Sequence, residues 1–181
     1  MRGSGDTLSP GVACEDDSMR YTLEPLAEAH RKAVIDIFNH YVAHSFAAYP
    51  EATVGYEVFD RFLEMSKGYP AVAAKTEAGE VAGFAFLRPY HHADTFQRTA
   101  EITYFILREH TGKGLGGAIL DRFIEQARKM GVDNFLASIS SRNQESLEFH
   151  RRHGFRECGN FQEVGRKFGQ SFDVVWLQRR I

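Results

Sequence analysis

Four glycines in six positions, Gly112, Gly114, Gly116 and Gly117, separate an apolar run from an amphipathic one. The run before them, AEITYFIL (100–107), has the nearly unbroken apolar character of a strand buried on both faces. After them, Leu115, Ile119, Phe123, Ala127 and Met130 fall on one helical stripe, and Gly131 is placed to stop it. The first N–H groups of such a helix have no partner within it. Its end carries a partial positive charge. Glycines let the backbone approach a pyrophosphate without Cβ clashes. An anion site is therefore expected over residues 111–117, with Lys113 as a cation at its rim; a plain glycine turn is the competing reading. A Walker-type loop is disfavoured, because Gly116 is followed by Gly117 and Ala118 and not by a Lys-Ser/Thr pair. A dinucleotide fold is disfavoured too, because its glycine turn follows the first strand and this one follows the fourth.

The elements around that junction read as follows. Residues 19–24 form a short first strand. Val34, Phe38 and Tyr41/Val42 recur at helical spacing, and residues 57–66 make a second helix ended by Gly68 and Pro70. AVAAK (71–75) and VAGFAFL (81–87) flank TEAGE as a hairpin. NFLASI (134–139) is a strand, residues 143–153 a short helix, and FRECG (155–159) and SFDVVWLQ (171–178) closing strands. This order predicts an α/β fold, one mixed and mostly antiparallel sheet with helices on both faces.

At 181 residues the chain suits one domain, expected over 19–181. Residues 1–18, rich in glycine, serine and acidic residues, read as a tail or cloning remnant outside the fold. They lack the apolar core of a signal peptide. No apolar run reaches the ~18 residues of a membrane span, and a net charge of −2 gives no nucleic-acid footprint. Cys14 and Cys158 lack the spacing of a zinc site or redox pair, so two free thiols and a cytoplasmic location are expected.

TGKGLG (111–116) resembles the Gln/Arg-Gly-x-Gly-x-Gly loop of the GNAT acetyltransferase superfamily. SRNQESLEFHRRHGF (141–155) looks like that superfamily's Asn, Ser, short helix and Gly-Phe segment. IFNHYVAHSFAAY (37–49), RTAEITYFI (98–106) and EVGRKFGQSFDVVWLQ (163–178) resemble its phosphinothricin N-acetyltransferase-like branch. The resemblance implies the GNAT acyl-CoA N-acyltransferase fold, acetyl-CoA as co-substrate, no metal, direct transfer to the amine of a small molecule such as an amino acid or analogue, and a homodimer. It places the pantetheine arm along Tyr104, Phe105 and Ile106, and near Asn143 and Ser146. The pyrophosphate falls on the amides of Thr111, Gly112, Lys113, Gly114, Leu115, Gly116 and Gly117. Thr111 departs from the usual Gln or Arg. For Asn143 the competing role is helix capping.

Glu101 matches the branch's strand glutamate, the candidate general base. An amine attacks a thioester only when neutral, and a carboxylate can take its proton directly or through water. Glu101 lies roughly 10 Å along the strand from Tyr104, which favours the water. The competing reading is a strand-end glutamate facing solvent or paired with Arg98. His150 stands where many members place a tyrosine that protonates the leaving thiolate; the alternative is contact without proton transfer.

The branch also carries arginines before its glutamate that can hold an amino-acid carboxylate. Here Ala93 and His91 fall near those places, with Arg88 and Arg98 shifted, so weak discrimination for a substrate carboxylate is expected. His91 and His92 are candidate substrate contacts or simple loop polarity, and not a metal site. Phe38 and Tyr41, with Phe46, Tyr49, Tyr90 and Phe96, could wall an aromatic pocket or pack the core. Two other functions compete: a protein or peptide N-acetyltransferase, which needs a shallow acidic groove, and a non-catalytic acyl-CoA-binding sensor, which needs no base.

Overall fold

A computed structural model describes residues 21–181. The tail expected over 1–18, with Cys14, lies outside the described residues, as do residues 19 and 20 of the expected first strand. The elements run β1 (Thr22–Pro25), α1 (Arg31–His44), α2 (Val58–Met65), β2 (Ala71–Lys75), β3 (Val81–Pro89), β4 (Thr99–Ile106), α3 (Leu115–Lys129), β5 (Asn134–Ser140), α4 (Gln144–Arg152), β6 (Arg156–Lys167) and β7 (Gln170–Arg180). Their strands form one sheet in the order β1-β2-β3-β4-β5-β7-β6. Every neighbouring pair is antiparallel except β4 and β5. The mixed, mostly antiparallel sheet expected from the sequence is the one observed.

Two apolar clusters sandwich the sheet. On one face, the α1 and α2 residues Val34, Phe38, Val42, Phe59 and Phe62 pack on Phe84, Phe86 and Phe105. The rings of Phe84 and Phe105 stack with centroids 5.4 Å apart. On the other face, α3 sets Ile119, Leu120, Phe123 and Ala127 over Ala85, Leu87, Ala100, Phe135 and Leu177, joined by Leu147 of α4. Strands covered on both sides have no polar face, which is why β3 and β4 read as continuous apolar runs. The hairpin β6–β7 is longer than expected, because most of β6 is solvent-exposed and its register slips at two places. An exposed, irregular strand leaves no alternating pattern to read.

Candidate active site

The β4–β5 ladder is short. It pairs Thr99 with Asn134, Ala100 with Phe135 and Glu101 with Leu136, then stops. Beyond Glu101 the two strands part into a cleft lined by Thr103, Tyr104, Phe105, Ser138, Ser140, Asn143, Ser146 and His150 among others. With its open mouth the cleft encloses about 480 Å³. Strand chemistry dictates what faces it. The Leu107 N–H donates to Ala82 O of β3 and the Tyr90 N–H to Thr99 O, so the odd residues of β4 bond to β3. The even residues therefore aim their N–H and C=O groups at the β5 side. Past the end of the ladder these are the groups of Tyr104 and Ile106. The Tyr41 hydroxyl donates to the Ile106 carbonyl, which leaves the Tyr104 backbone facing the cleft.

Glu101 sits at the apex, only 6% exposed. Ser138 Oγ donates to its Oε1 at 2.8 Å. Arg88, directly opposite on β3, places Nη2 2.7 Å from its Oε2. The alternative pairing with Arg98 is corrected: Arg98 binds Asp133, with Nε 2.9 Å from Oδ1. Tyr49 adjoins this pair. Burial pushes its hydroxyl pKa up, its polar contact with the Ser138 side chain opposes that rise, and the charge of Glu101 reinforces it. Trp176 is the register partner of Ser138 on β7, and Tyr90 meets its ring edge-on at 6.2 Å. The apex is thus a buried carboxylate held by two donors and flanked by aromatic rings.

At the other end, the glycine turn enters α3 through Gly114, whose φ of 80° lies in the left-handed region. The first amide bonded back in this helix is that of Ala118, to Gly114 O at 3.0 Å, so the amides of Leu115, Gly116 and Gly117 stand outside the ladder. Their glycines have a second cause that spacing alone did not reveal. A Cβ on Gly116 would meet Phe149 Cε2 at 2.9 Å, and one on Gly117 would meet His153 Nε2 at 3.3 Å. These two glycines let α4 lie close on α3, whereas a Cβ on Gly112 or Gly114 would enter open space. Lys113 is exposed, and the Leu115 side chain is buried in the core. The Thr111 hydroxyl turns back to Arg108 O at 2.8 Å.

A second chamber adjoins the cleft, sharing Ala47 and Asn143 with it, and is lined by His40, Tyr41, His44, Arg108, Thr111 and Arg142 among others. The basic groups here were not singled out in the sequence; they come from α1 and from the loops after β4 and β5, and only folding collects them.

Asn143 caps α4, its Oδ1 accepting from the Ser146 amide at 3.2 Å, so capping and a place on the cleft wall coexist. For His150 the surroundings favour the second reading, contact without proton transfer. Its Nδ1 lies 2.7 Å from the Ser146 carbonyl, which only accepts, so Nδ1 carries the proton. Burial lowers its pKa to about 4, against the raising effect of that bond. The imidazole is neutral near pH 7, and its Nε2, buried and unpartnered among the described residues, offers a lone pair and no proton. The Tyr104 side chain points away from the Glu101 face, into the α3 cluster and against Phe149 and His150.

Two substrate expectations also change. Phe38 belongs to the core, edge-on to Phe62 and Phe105 at 5.2 Å each. His91 and His92 are exposed and line neither chamber; His91 accepts from the Ala93 amide at 3.0 Å and leans on Phe96. Among the described residues no group of three His, Cys, Asp or Glu side chains could hold a metal ion, and no helix is long and apolar enough to cross a membrane.

This geometry has named counterparts. The profile of the Acetyltransferase (GNAT) family matches residues 34–155. L-amino acid N-acyltransferase MnaT of Escherichia coli (strain K12) is 33% identical over 82% of this chain and 87% of its own. The L-methionine sulfoximine/L-methionine sulfone acetyltransferase of Salmonella typhimurium (strain LT2) is 32% identical over 82% and 88%. The crystal structure of a phosphinothricin acetyltransferase from Sinorhizobium meliloti in complex with AcCoA superposes with a TM-score of 0.84 at 27% identity, covering 90% of this chain and 89% of that one. The chain belongs to the GNAT acetyltransferase family.

Proposed function

We propose that residues 19–181 form a single catalytic domain that moves the acetyl group of acetyl-CoA to the amine of a small molecule, an amino acid or analogue. The observation that carries this reading is the divergence of β4 and β5 immediately after Glu101, which puts a carboxylate at the apex of a cleft edged by strand amides. The names of the two bacterial relatives support the acceptor class. In this reading the pyrophosphate lies on the 111–117 amides beside Arg108, and the pantetheine arm pairs with the Tyr104 backbone and passes Asn143 and Ser146. The neutral amine attacks the thioester carbonyl carbon, an N–C bond forms and the C–S bond breaks. Glu101 takes the amine proton directly or through a water, and CoA leaves as a thiolate that solvent protonates. His150 acts as a contact for the arm. Against the alternative of a peptide substrate, Arg108 and Arg142 line the second chamber, with Glu145 as its acidic side chain among the described residues.

The test is a thiol-release screen with acetyl-CoA against amino acids, their sulfoximine and phosphinic analogues, and polyamines. No acceptor-dependent CoA release with any of them would reject the function. The same screen reads the role of Arg88. Its guanidinium, over a third exposed, reaches Glu101 with one nitrogen and has further donors to offer. Sequence counting expects weak carboxylate discrimination; the nearness of Arg88 to Glu101 supports instead a reading in which a free α-carboxylate binds Arg88 while the amine approaches Glu101. Arg88→Gln is expected to raise KM for amino acids at least tenfold, as loss of a charge-assisted pair does, and to change KM for their amides far less. Equal effects on acid and amide would remove Arg88 from the acceptor site.

We also propose a cytoplasmic homodimer. The exposed β6 edge, with Phe161 and Val164 more than half exposed, supports self-association. Light scattering is expected to give twice the chain mass, and a monomer at micromolar concentration would contradict it.

A further inference from the structure

Lys167 has no part in the chemistry above, yet it is fully buried near the end of β6. An ammonium group is costly to bury unless its N–H groups are satisfied. Here Nζ donates to Ser45 O at 2.8 Å and Ala48 O at 2.6 Å, and stands 4.8 Å from the centre of the Phe168 ring. Among the described residues no carboxylate forms an ion pair with it, and the acidic group whose charge acts on it is Glu51. The two carbonyls belong to a turn that no strand ladder holds. Ser45 fastens its start, with Oγ donating to Tyr41 O and accepting from the Ala47 amide. Lys167 fastens its end. Around this point the hairpin tip closes on the turn: Phe46 meets Phe168 at 5.5 Å and Phe172 at 5.7 Å, and Tyr49 stacks on Phe172 at 5.8 Å. The turn then supplies Ala47 to both chambers and Tyr49 to the Ser138–Glu101 pair.

We infer that Lys167 is a positioning residue of the acceptor site, whose ammonium staples the 45–48 turn so that Ala47 and Tyr49 keep their places beside the cleft. An apolar residue would close the hairpin at lower desolvation cost, but it would leave the Ser45 and Ala48 carbonyls untied and the turn free to shift. The inference rests on the acetyl-transfer reading, which needs an acceptor at Glu101.

Lys167→Met keeps the stem and removes the donors. It is expected to raise acceptor KM about tenfold or more, given two lost charge-assisted bonds. Acetyl-CoA affinity, set at the 111–117 amides, is expected to change by less than about threefold on the same free-energy reckoning. Hydrogen exchange at the amides of residues 46–49 is expected to quicken in the variant without any substrate present. Lys167→Gln, which keeps two N–H donors on a shorter stem and buries no charge, is expected to lie between and serves if Lys167→Met does not fold. A lysine that merely stabilises the fold would lower the melting temperature and leave acceptor KM and 46–49 exchange of the folded fraction unchanged, and that result overturns the inference. If the wild-type protein turns over no acceptor, the acetyl-transfer reading falls, and unchanged exchange at 46–49 would then overturn the staple separately.

Discussion

Glu101→Gln is expected to slow turnover by about 10²–10⁴-fold while acetyl-CoA affinity and fold are retained, the range typical for loss of a general base. The substitution keeps the shape of the side chain. Its amide oxygen can still accept from Ser138, which now donates to Oε1 at 2.8 Å. Arg88 loses a charged partner, but its guanidinium already reaches solvent and rehydrates, so the change is milder than stranding a fully buried cation. What the amide cannot do is take a proton. The variant's rate is therefore expected to climb with pH more steeply than that of wild type, because a growing share of the amine is already neutral. His150, neutral near pH 7, adds no titration to that comparison. Initial rates across pH, with acetyl-CoA binding measured in parallel, decide the matter. Retention of more than about a third of wild-type activity near neutral pH, against the expected loss, would end the case for Glu101 as base. A destabilised protein with normal specific activity in its folded fraction would make it a structural residue.

The second large effect separates glycines that the sequence presents as equals. Gly114→Asp is expected to weaken acetyl-CoA binding by about a hundredfold or more. A carboxylate there would stand among the amides proposed to receive the pyrophosphate, and two unit charges about 5 Å apart repel by about 3 kcal/mol at an effective dielectric of 20. Its Cβ meets no neighbour, so the structural cost is confined to the positive φ, which Asp tolerates better than most residues. Gly116→Ala is expected to behave in the opposite way. The new methyl would press on the Phe149 ring at 2.9 Å and force α4 away from α3, lowering stability by about 1–3 kcal/mol with a smaller loss of affinity. Titration calorimetry and thermal unfolding on both variants read the two quantities. Unchanged cofactor affinity in a folded Gly114→Asp protein would reject the site.

These glycines also mark where sequence reading ends. The strand–turn–helix junction was legible because local pattern writes it: an apolar run, a break, then a stripe at helical spacing. That Gly116 and Gly117 admit the Phe149 and His153 side chains of another helix is a long-range contact, and no local pattern records it. Arg88 shows the same limit. Counting back from Glu101 along the chain puts it out of place, whereas the β3–β4 register puts it directly opposite. Register is set by pairing and turn geometry across the sheet, and 12 intervening positions hide it. His150 was found at its place on the cleft wall, but its protonation depends on burial and on the Ser146 carbonyl, both products of folding. Lys167 gave no signal, since a lysine on an exposed-looking strand is ordinarily solvated.

The brevity of the β4–β5 ladder has a mechanical consequence. The sheet is two antiparallel blocks, β1–β4 and β5–β7, sewn together by three register pairs at one end only. Past that end few sheet hydrogen bonds join the blocks; the α3 cluster bridges them on one face, and the Lys167 staple with the Phe46, Phe168 and Phe172 rings ties the hairpin tip to the turn after α1. The stitched end is the fulcrum of any rocking between the blocks, and Glu101 is the last stitch. Any opening of a cleft stitched this way would be smallest at its innermost carboxylate, so a long molecule could enter at the mouth with little displacement of the group proposed as proton acceptor.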